Sequence, residues 1–176
     1  MAAPFVVMFV PGVTPSKWER IWRERMPRQP LELRPASGAV ALAALRDGTA
    51  NMAFLRDVTA DDELHVIPLY REVPVVVAPK DSPVSAFETI TLADLAGETL
   101  LEGQDTGTVE LVAAGVGLAI MPMSVARAHS RRDVVTRPVS DAADSGIGLA
   151  WRAASVHPFD AVFVGIVRGR TANSTR

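Results

Sequence analysis

The chain has 176 residues, 48% of them hydrophobic, with a formal net charge of −2 and no cysteine. That is enough apolar material for one domain or two small lobes, and too much for a disordered chain. The charge argues against direct nucleic-acid binding, which needs a basic footprint; the missing cysteines remove disulfides, thiolate catalysis and thiolate metal sites.

Phe5 to Val10 is a continuous valine-rich apolar run and predicts a buried strand, broken by Pro11-Gly12. Ser16 and Glu19 stand at capping-box spacing, and Trp18, Ile21, Trp22 and Met26 then fall on one helical face. Pro27 to Pro30 ends this helix. Leu31 to Arg34 alternates like a strand, Pro35 to Gly38 is a turn, and Ala39 to Arg46 is an alanine-rich helix stopped at Gly48. Asn51 to Leu55 is a third strand. The order β-α-β-α-β predicts a parallel sheet with right-handed crossovers.

Asp57 to Glu63 reads as a solvated acidic loop. Leu64 to Leu69 and Val73 to Ala78 are predicted strands separated by Tyr70-Arg71-Glu72, with a loop over Pro79 to Pro83. Thr91 and Asp94 cap a short helix, Leu92 to Ala96, and Thr99 to Leu101 is a short strand. Thr108 is expected to cap a helix over Val109 to Ala114. Leu118 to Met121 is a strand, and Ser124 opens a helix ending near Ser130. Val134 to Pro138 and Ile147 to Trp151 are strands. Phe159, Val162, Phe163 and Ile166 mark the face of a last helix, followed by a polar, frayed tail.

Two segments share one design, Phe5 to Glu19 and, more weakly, Val116 to Ala126. Each is an apolar strand ending at a proline, then a hydroxyl residue, then a helix. Open α/β sheets bind ligands at the carboxyl ends of their strands, where a helix N-terminus offers free N–H groups and a positive dipole end. Two such units imply two lobes facing one cleft that receives a small, anionic molecule. Val13, Thr14 and Ser16 follow the first strand and are candidate ligand contacts, although Ser16 would serve equally as an ordinary helix cap.

The chain resembles the effector-binding domain of LysR-type transcriptional regulators. The resemblance is carried by Val7 to Trp22, by Leu31 to Leu55 with its Leu45-Arg46-Asp47-Gly48-Thr49-Ala50-Asn51-Met52-Ala53, and by Ile67 to Glu72. Thr91-Leu92-Ala93-Asp94-Leu95 and Leu111 to Pro122 extend it. It implies an α/β fold of the periplasmic-binding-protein-like type 2, with two α/β lobes around a cleft. Residues 1–72 plus 144–168 would form lobe I, 73–143 a shortened lobe II, and 169–176 a flexible tail.

The resemblance also implies a cytoplasmic sensor that binds a small anionic effector, such as a carboxylate, and pairs as a homodimer. DNA would be reached only through a winged helix-turn-helix module, to which nothing in this sequence corresponds. The stretch from Leu101 to Val109 is shorter than usual for the family. In family terms Ser37 stands where a pocket hydroxyl is often found; an ordinary turn serine is the alternative. Arg56 could grip an anion bidentately, or pair on the surface with Asp57, Asp61 or Asp62. Pro74 and Val75 would line the cleft at the first crossover. Glu102 and Thr108 flank the shortened loop, and Pro122 and Ser124 repeat the strand-end arrangement in lobe II.

No metal or cofactor is expected: His65, His129 and His157 are far apart and none has ligand spacing with another. No serine lies in a G-x-S-x-G elbow, no glycine-rich phosphate loop occurs, and no carboxylate pair has a signature context, so no catalysis is indicated. The alternatives are a two-lobe enzyme such as a dehydratase, and a stand-alone solute-binding protein. The latter needs an export signal; Pro4 to Val10 has no preceding Lys or Arg and stops too soon. No stretch is long enough to span a bilayer.

Overall fold

A computed structural model describes residues 3–169 of the chain. The chain forms two compact units, one made by the residues up to Leu69 together with those from Ile147 onward, the other by Tyr70–Gly146.

The first unit holds β1 (Phe5–Phe9), α1 (Ser16–Arg25), β2 (Leu31–Pro35), α2 (Gly38–Asp47) and β3 (Met52–Arg56). β4 (Leu64–Glu72) leads out of it, and β8 (Ser145–Arg152) and α5 (Asp160–Val167) return to it. The sheet order is β2-β1-β3-β8-β4. β1 runs parallel to β2 and β3, as the β-α-β-α-β order requires, and β8 runs antiparallel to β3. Helices cover this sheet, so β1 and β3 are buried along most of their length, which is why they are unbroken apolar runs.

The core is aromatic. Phe5, Trp22, Phe54 and Phe163 are fully buried. The Phe5 ring stacks on Trp22 at 5.1 Å, and Trp18 stacks on Phe54 at 4.5 Å between centroids. The one polar atom of Trp22, Nε1, donates to the Gln29 carbonyl at 2.9 Å. Asn51 closes the start of β3 twice: its Oδ1 accepts from Val6 N–H at 2.7 Å and its N–H donates to the Val6 carbonyl at 2.9 Å.

The second unit holds β5 (Pro74–Pro79), α3 (Thr106–Ala113), β6 (Ala119–Pro122), α4 (Met123–Ala128) and β7 (Val134–Pro138), with short 3₁₀ turns at Pro83–Ala86 and Ala93–Leu95. Its sheet has the order β6-β5-β7, and both pairings are antiparallel. Val75 and Val77 of β5 pack with Val109, Val112 and Val125 of α3 and α4. Val76 and Ala78, on the other face, pack with Val84, Ile90 and Leu95. Burial on both faces explains why β5 shows no polar alternation.

Several local expectations are corrected. Ser16 does not cap α1. Pro15 holds the N-cap position, its carbonyl accepting from Trp18 and Glu19 N–H at 3.0 and 3.1 Å, and no side chain caps the helix. A proline has its φ pre-set near the helical value, so the helix begins one residue early. Glu19 does not fold back to complete a capping box but pairs with Arg23 at 2.8 Å. Likewise Asp105, not Thr108, caps α3, and Pro122, not Ser124, precedes α4.

Thr91 and Asp94 do bond to each other, Thr91 N–H to Asp94 Oδ2 at 2.8 Å, but the turn they close is 3₁₀ rather than α-helical. Thr99 to Leu101 contributes a single parallel bridge, Leu100 to Leu118, in place of a strand. β4 runs straight through Tyr70-Arg71-Glu72, and the Arg71 guanidinium clasps Asp144 with contacts of 2.6 and 2.7 Å. The predicted tail lies outside the described residues except for Gly169.

Gly117 is required by close approach. A Cβ there would lie 2.5 Å from the Thr99 carbonyl oxygen, which itself accepts the Leu118 N–H at 2.8 Å. Gly117→Ala must push two backbone segments apart. It is expected to cost about 1–3 kcal/mol, read as a lower urea midpoint at constant slope.

Candidate functional site

In the first unit the carboxyl ends of β2, β1 and β3 share one edge, because the three strands are parallel and in register at Phe9–Pro35 and Phe9–Phe54. The backbone stitches the loops at that edge together. Ala36 N–H donates to the Phe9 carbonyl at 3.0 Å, and Val10 N–H to the Phe54 carbonyl at 3.2 Å. The turn after β1 closes through Val13 N–H to the Val10 carbonyl, with Gly12 at φ 90°, a left-handed conformation that favours glycine.

Five sequence-predicted residues meet here. Val13 is buried and anchors the turn, while Thr14 and Ser16 are exposed beside it. Ser16 is the first residue of α1; no side chain caps the helix, and the Pro15 carbonyl takes the N–H groups of Trp18 and Glu19, which leaves those of Ser16 and Lys17 at the helix start for solvent or a ligand. Ser37 is the N-cap of α2 and accepts Val40 N–H at 3.3 Å. Arg56, at the end of β3, donates from Nη2 to the Pro11 carbonyl at 3.2 Å, which brings its guanidinium to the β1 turn. Lys17 Nζ sits 4.6 Å from the Trp18 ring. The edge therefore collects two helix N-termini and the Arg56 guanidinium, a field that favours an anion.

The other candidates fall in the second unit. Pro74 pairs with Pro122 and Val75 with Met121 across β5 and β6, and Met123 N–H donates to the Val73 carbonyl at 3.2 Å. Pro74 and Pro122 are buried, and Val75, 1% exposed, belongs to the core under α3 and α4. Ser124 Oγ is shut off from solvent and has no partner among the described residues. Glu102 is exposed. Thr108 is buried, its hydroxyl donating to Asp105 Oδ1 at 2.9 Å, and Gly103 presses against that hydroxyl so closely that a Cβ would stand 2.3 Å away.

Asp105 is a residue the sequence reading missed. Its carboxylate accepts from the Thr108 N–H at 2.8 Å as well as the hydroxyl, and the Asp-x-x-Thr spacing was the available signal. The Thr108 N–H, then the Thr108 hydroxyl, and more weakly the charge of His129 hold the Asp105 carboxyl below the usual carboxylate range. A carboxyl lowered by folding stabilises the protein above its unfolded value and loses that contribution as pH falls through the lowered one. Asp105→Ala is therefore expected to lower Tm at pH 7, with the gap from the parent chain closing on acidification below about pH 4; melts across pH 2–7 check this.

Among the described residues no group of three or more His, Asp or Glu could hold a metal ion, and no helix is long and apolar enough to cross a membrane.

The sequence model of the LysR substrate binding domain matches residues 16–109, more than half of the chain. No curated protein sequence matches it. Among solved structures, a mutant OxyR regulatory domain from Pseudomonas aeruginosa is 21% identical with TM-score 0.75, covering 96% of each chain. A peroxide-bound mutant of Corynebacterium glutamicum OxyR is 23% identical with TM-score 0.78, covering 95% of this chain and 67% of that one. The BenM effector binding domain with its effector benzoate is 18% identical with TM-score 0.80, covering 94% of this chain and 90% of that one. These likenesses establish the fold as the type 2 periplasmic-binding-protein-like α/β class.

Proposed function

Because the chain belongs to the LysR substrate-binding domain family, we propose that it senses a small anionic effector, a carboxylate, at the carboxyl edge of β2, β1 and β3. The observation that carries the reading is the meeting of the uncapped α1 N-terminus, the α2 N-terminus and the Arg56 guanidinium at one edge of one sheet. Thr14, Ser16 and Ser37 supply hydroxyls there. The BenM domain's benzoate supports a carboxylate as the ligand class.

The reading is of binding without turnover, by a homodimer in the cytoplasm. With a net charge of −2 the domain has no DNA footprint of its own, so DNA contact is assigned to a separate helix-turn-helix module. The test is a thermal-shift series with benzoate, short aliphatic carboxylates and sulfate. A ligand at one hundred times its Kd is expected to stabilise the fold by about 2.7 kcal/mol. A series in which no anion raises Tm, or in which a carboxylate is converted to product, overturns the reading.

A further inference from the structure

The sheet of the second unit is closed along one edge and open along the other. On the β7 side Ile90 bridges to Val139 and donates its N–H to the Pro138 carbonyl at 2.9 Å, and the Arg137 guanidinium donates to the Ser85 and Phe87 carbonyls. On the β6 side the chain adds one bridge, Leu100 to Leu118. Leu101 N–H donates to the Leu118 carbonyl at 2.7 Å, and Leu118 N–H to the Thr99 carbonyl at 2.8 Å. Thr99 and Leu101 thus turn these backbone groups toward β6. The N–H and carbonyl of Leu100, between them, face outward by the alternation of a strand, and neither has a backbone partner among the described residues.

Outward backbone groups on a sheet edge are a template for a further strand. This edge is accessible: Glu98, Thr99 and Glu102 are exposed, and the Leu100 side chain is 47% exposed. Its charge selects the occupant. Glu98 and Glu102 stand two residues to either side of Leu100, and neither has an ion-pair partner among the described residues. No Lys, Arg or His lies between Lys80 and Arg127, a stretch that holds Glu88, Asp94, Glu98, Glu102, Asp105 and Glu110. Asp94 and Asp105 are engaged with Thr91 and Thr108, which leaves Glu98 and Glu102 as the carboxylates of the edge itself. A second copy of this chain is a poor match. Antiparallel pairing about a two-fold axis at Leu100 would set Glu98 against Glu102 of the other copy twice, and like charges directly opposite one another oppose pairing. The same two carboxylates attract a strand of opposite charge.

We propose that the Glu98–Glu102 edge is a docking site for an extended basic segment of another protein, one with an apolar residue flanked at two-residue spacing by Lys or Arg. Its backbone pairs with the outward N–H and carbonyl of Leu100, its apolar side chain lies on Leu100, and its cations meet Glu98 and Glu102. The proposal concerns the second unit alone and stands whether or not the anion edge of the first unit binds a carboxylate.

The test titrates a blocked peptide, TKTVTKT, into the isotopically labelled chain and follows the amides by NMR. The expected result is saturable shifts centred on Thr99, Leu100, Leu101 and Glu102, with slowed hydrogen exchange of the Leu100 N–H. The acidic counterpart TETVTET should not bind. The basic peptide N-methylated at its valine, which cannot donate to the edge, should bind at least ~10-fold more weakly. Glu98→Lys combined with Glu102→Lys should lose the basic peptide and take up the acidic one. Leu100→Pro removes an outward N–H that no backbone bond of the fold uses, so it should melt near the parent temperature and bind TKTVTKT at least ~10-fold more weakly. Absence of saturable shifts at these amides, equal binding of the N-methylated peptide, or a charge-reversed chain that still prefers TKTVTKT would overturn the proposal. So would shifts at the same amides on concentrating the chain alone, which would give the edge to a second copy.

Discussion

Phe54→Ala is expected to destabilise the chain by about 3–5 kcal/mol, the range for emptying a buried aromatic site. Phe54 is fully buried near the end of β3, stacked on Trp18 with ring planes 10° apart and 6.1 Å from Phe163. It joins α1, β3 and α5 through ring contacts, and its strand neighbours are Phe9 and Leu149. None of these can collapse into the hole without shifting a paired strand, so the cavity term stays with the transfer term. Small domains have only about 5–15 kcal/mol in hand, so the loss is a large share of the total. Urea unfolding should show the midpoint fall with the slope unchanged, and Phe54→Leu should lose far less because it keeps most of the volume. A loss under about 1 kcal/mol for the alanine variant would mean that the ring cluster is not formed as described. The effect also reaches the anion edge: Trp18 holds the first turn of α1 against the sheet, so Phe54→Ala should weaken carboxylate binding beyond what the lower stability explains.

The parts readable in the sequence were those set by local chemistry. β1 is a buried strand because nothing polar interrupts Phe5 to Phe9, and α2 ends at Gly48 because that residue takes φ 80°. The co-location of Thr14, Ser16, Ser37 and Arg56 followed from topology alone, since parallel strands must end on one edge. What the sequence could not show were choices decided by competition. Ser16, Thr108 and Ser124 are all plausible caps, yet Pro15, Asp105 and Pro122 hold the N-cap positions. The contact of Arg56 with the Pro11 carbonyl exists only once the Pro11-Gly12 turn is folded, so no local pattern announces it. Val75 was read as a wall residue; an apolar strand residue is the same letter whether it faces a ligand or a core, and here it faces α3 and α4. β4 passes through Tyr70-Arg71-Glu72, where the strand is mostly exposed and no apolar pattern marks it, and Arg71 clasps Asp144 there.

Ser16→Asp separates the anion edge from the fold. Position 16 opens α1, is exposed and carries no capping bond. A carboxylate in the first turn of a helix interacts favourably with the dipole, by about 0.3–1 kcal/mol, so the variant should melt at or slightly above the parent temperature. The same carboxylate is a resident anion at the place assigned to the effector. Two negative charges about 5 Å apart at an effective dielectric near 20 repel by about 3 kcal/mol, which is roughly a 100-fold loss of affinity for any carboxylate that binds there. Ser16→Asn, neutral and of similar size, should bind within a few-fold of the parent. Calorimetric titration of all three chains with one carboxylate found in the thermal-shift series decides the matter. If Ser16→Asp binds as tightly as the parent, the α1 N-terminus does not hold the anion. If Ser16→Asn is as weak as Ser16→Asp, the serine hydroxyl rather than the local charge carries the contact. The opposed signs on stability and affinity make this informative, because a variant that merely damaged the fold would lower both.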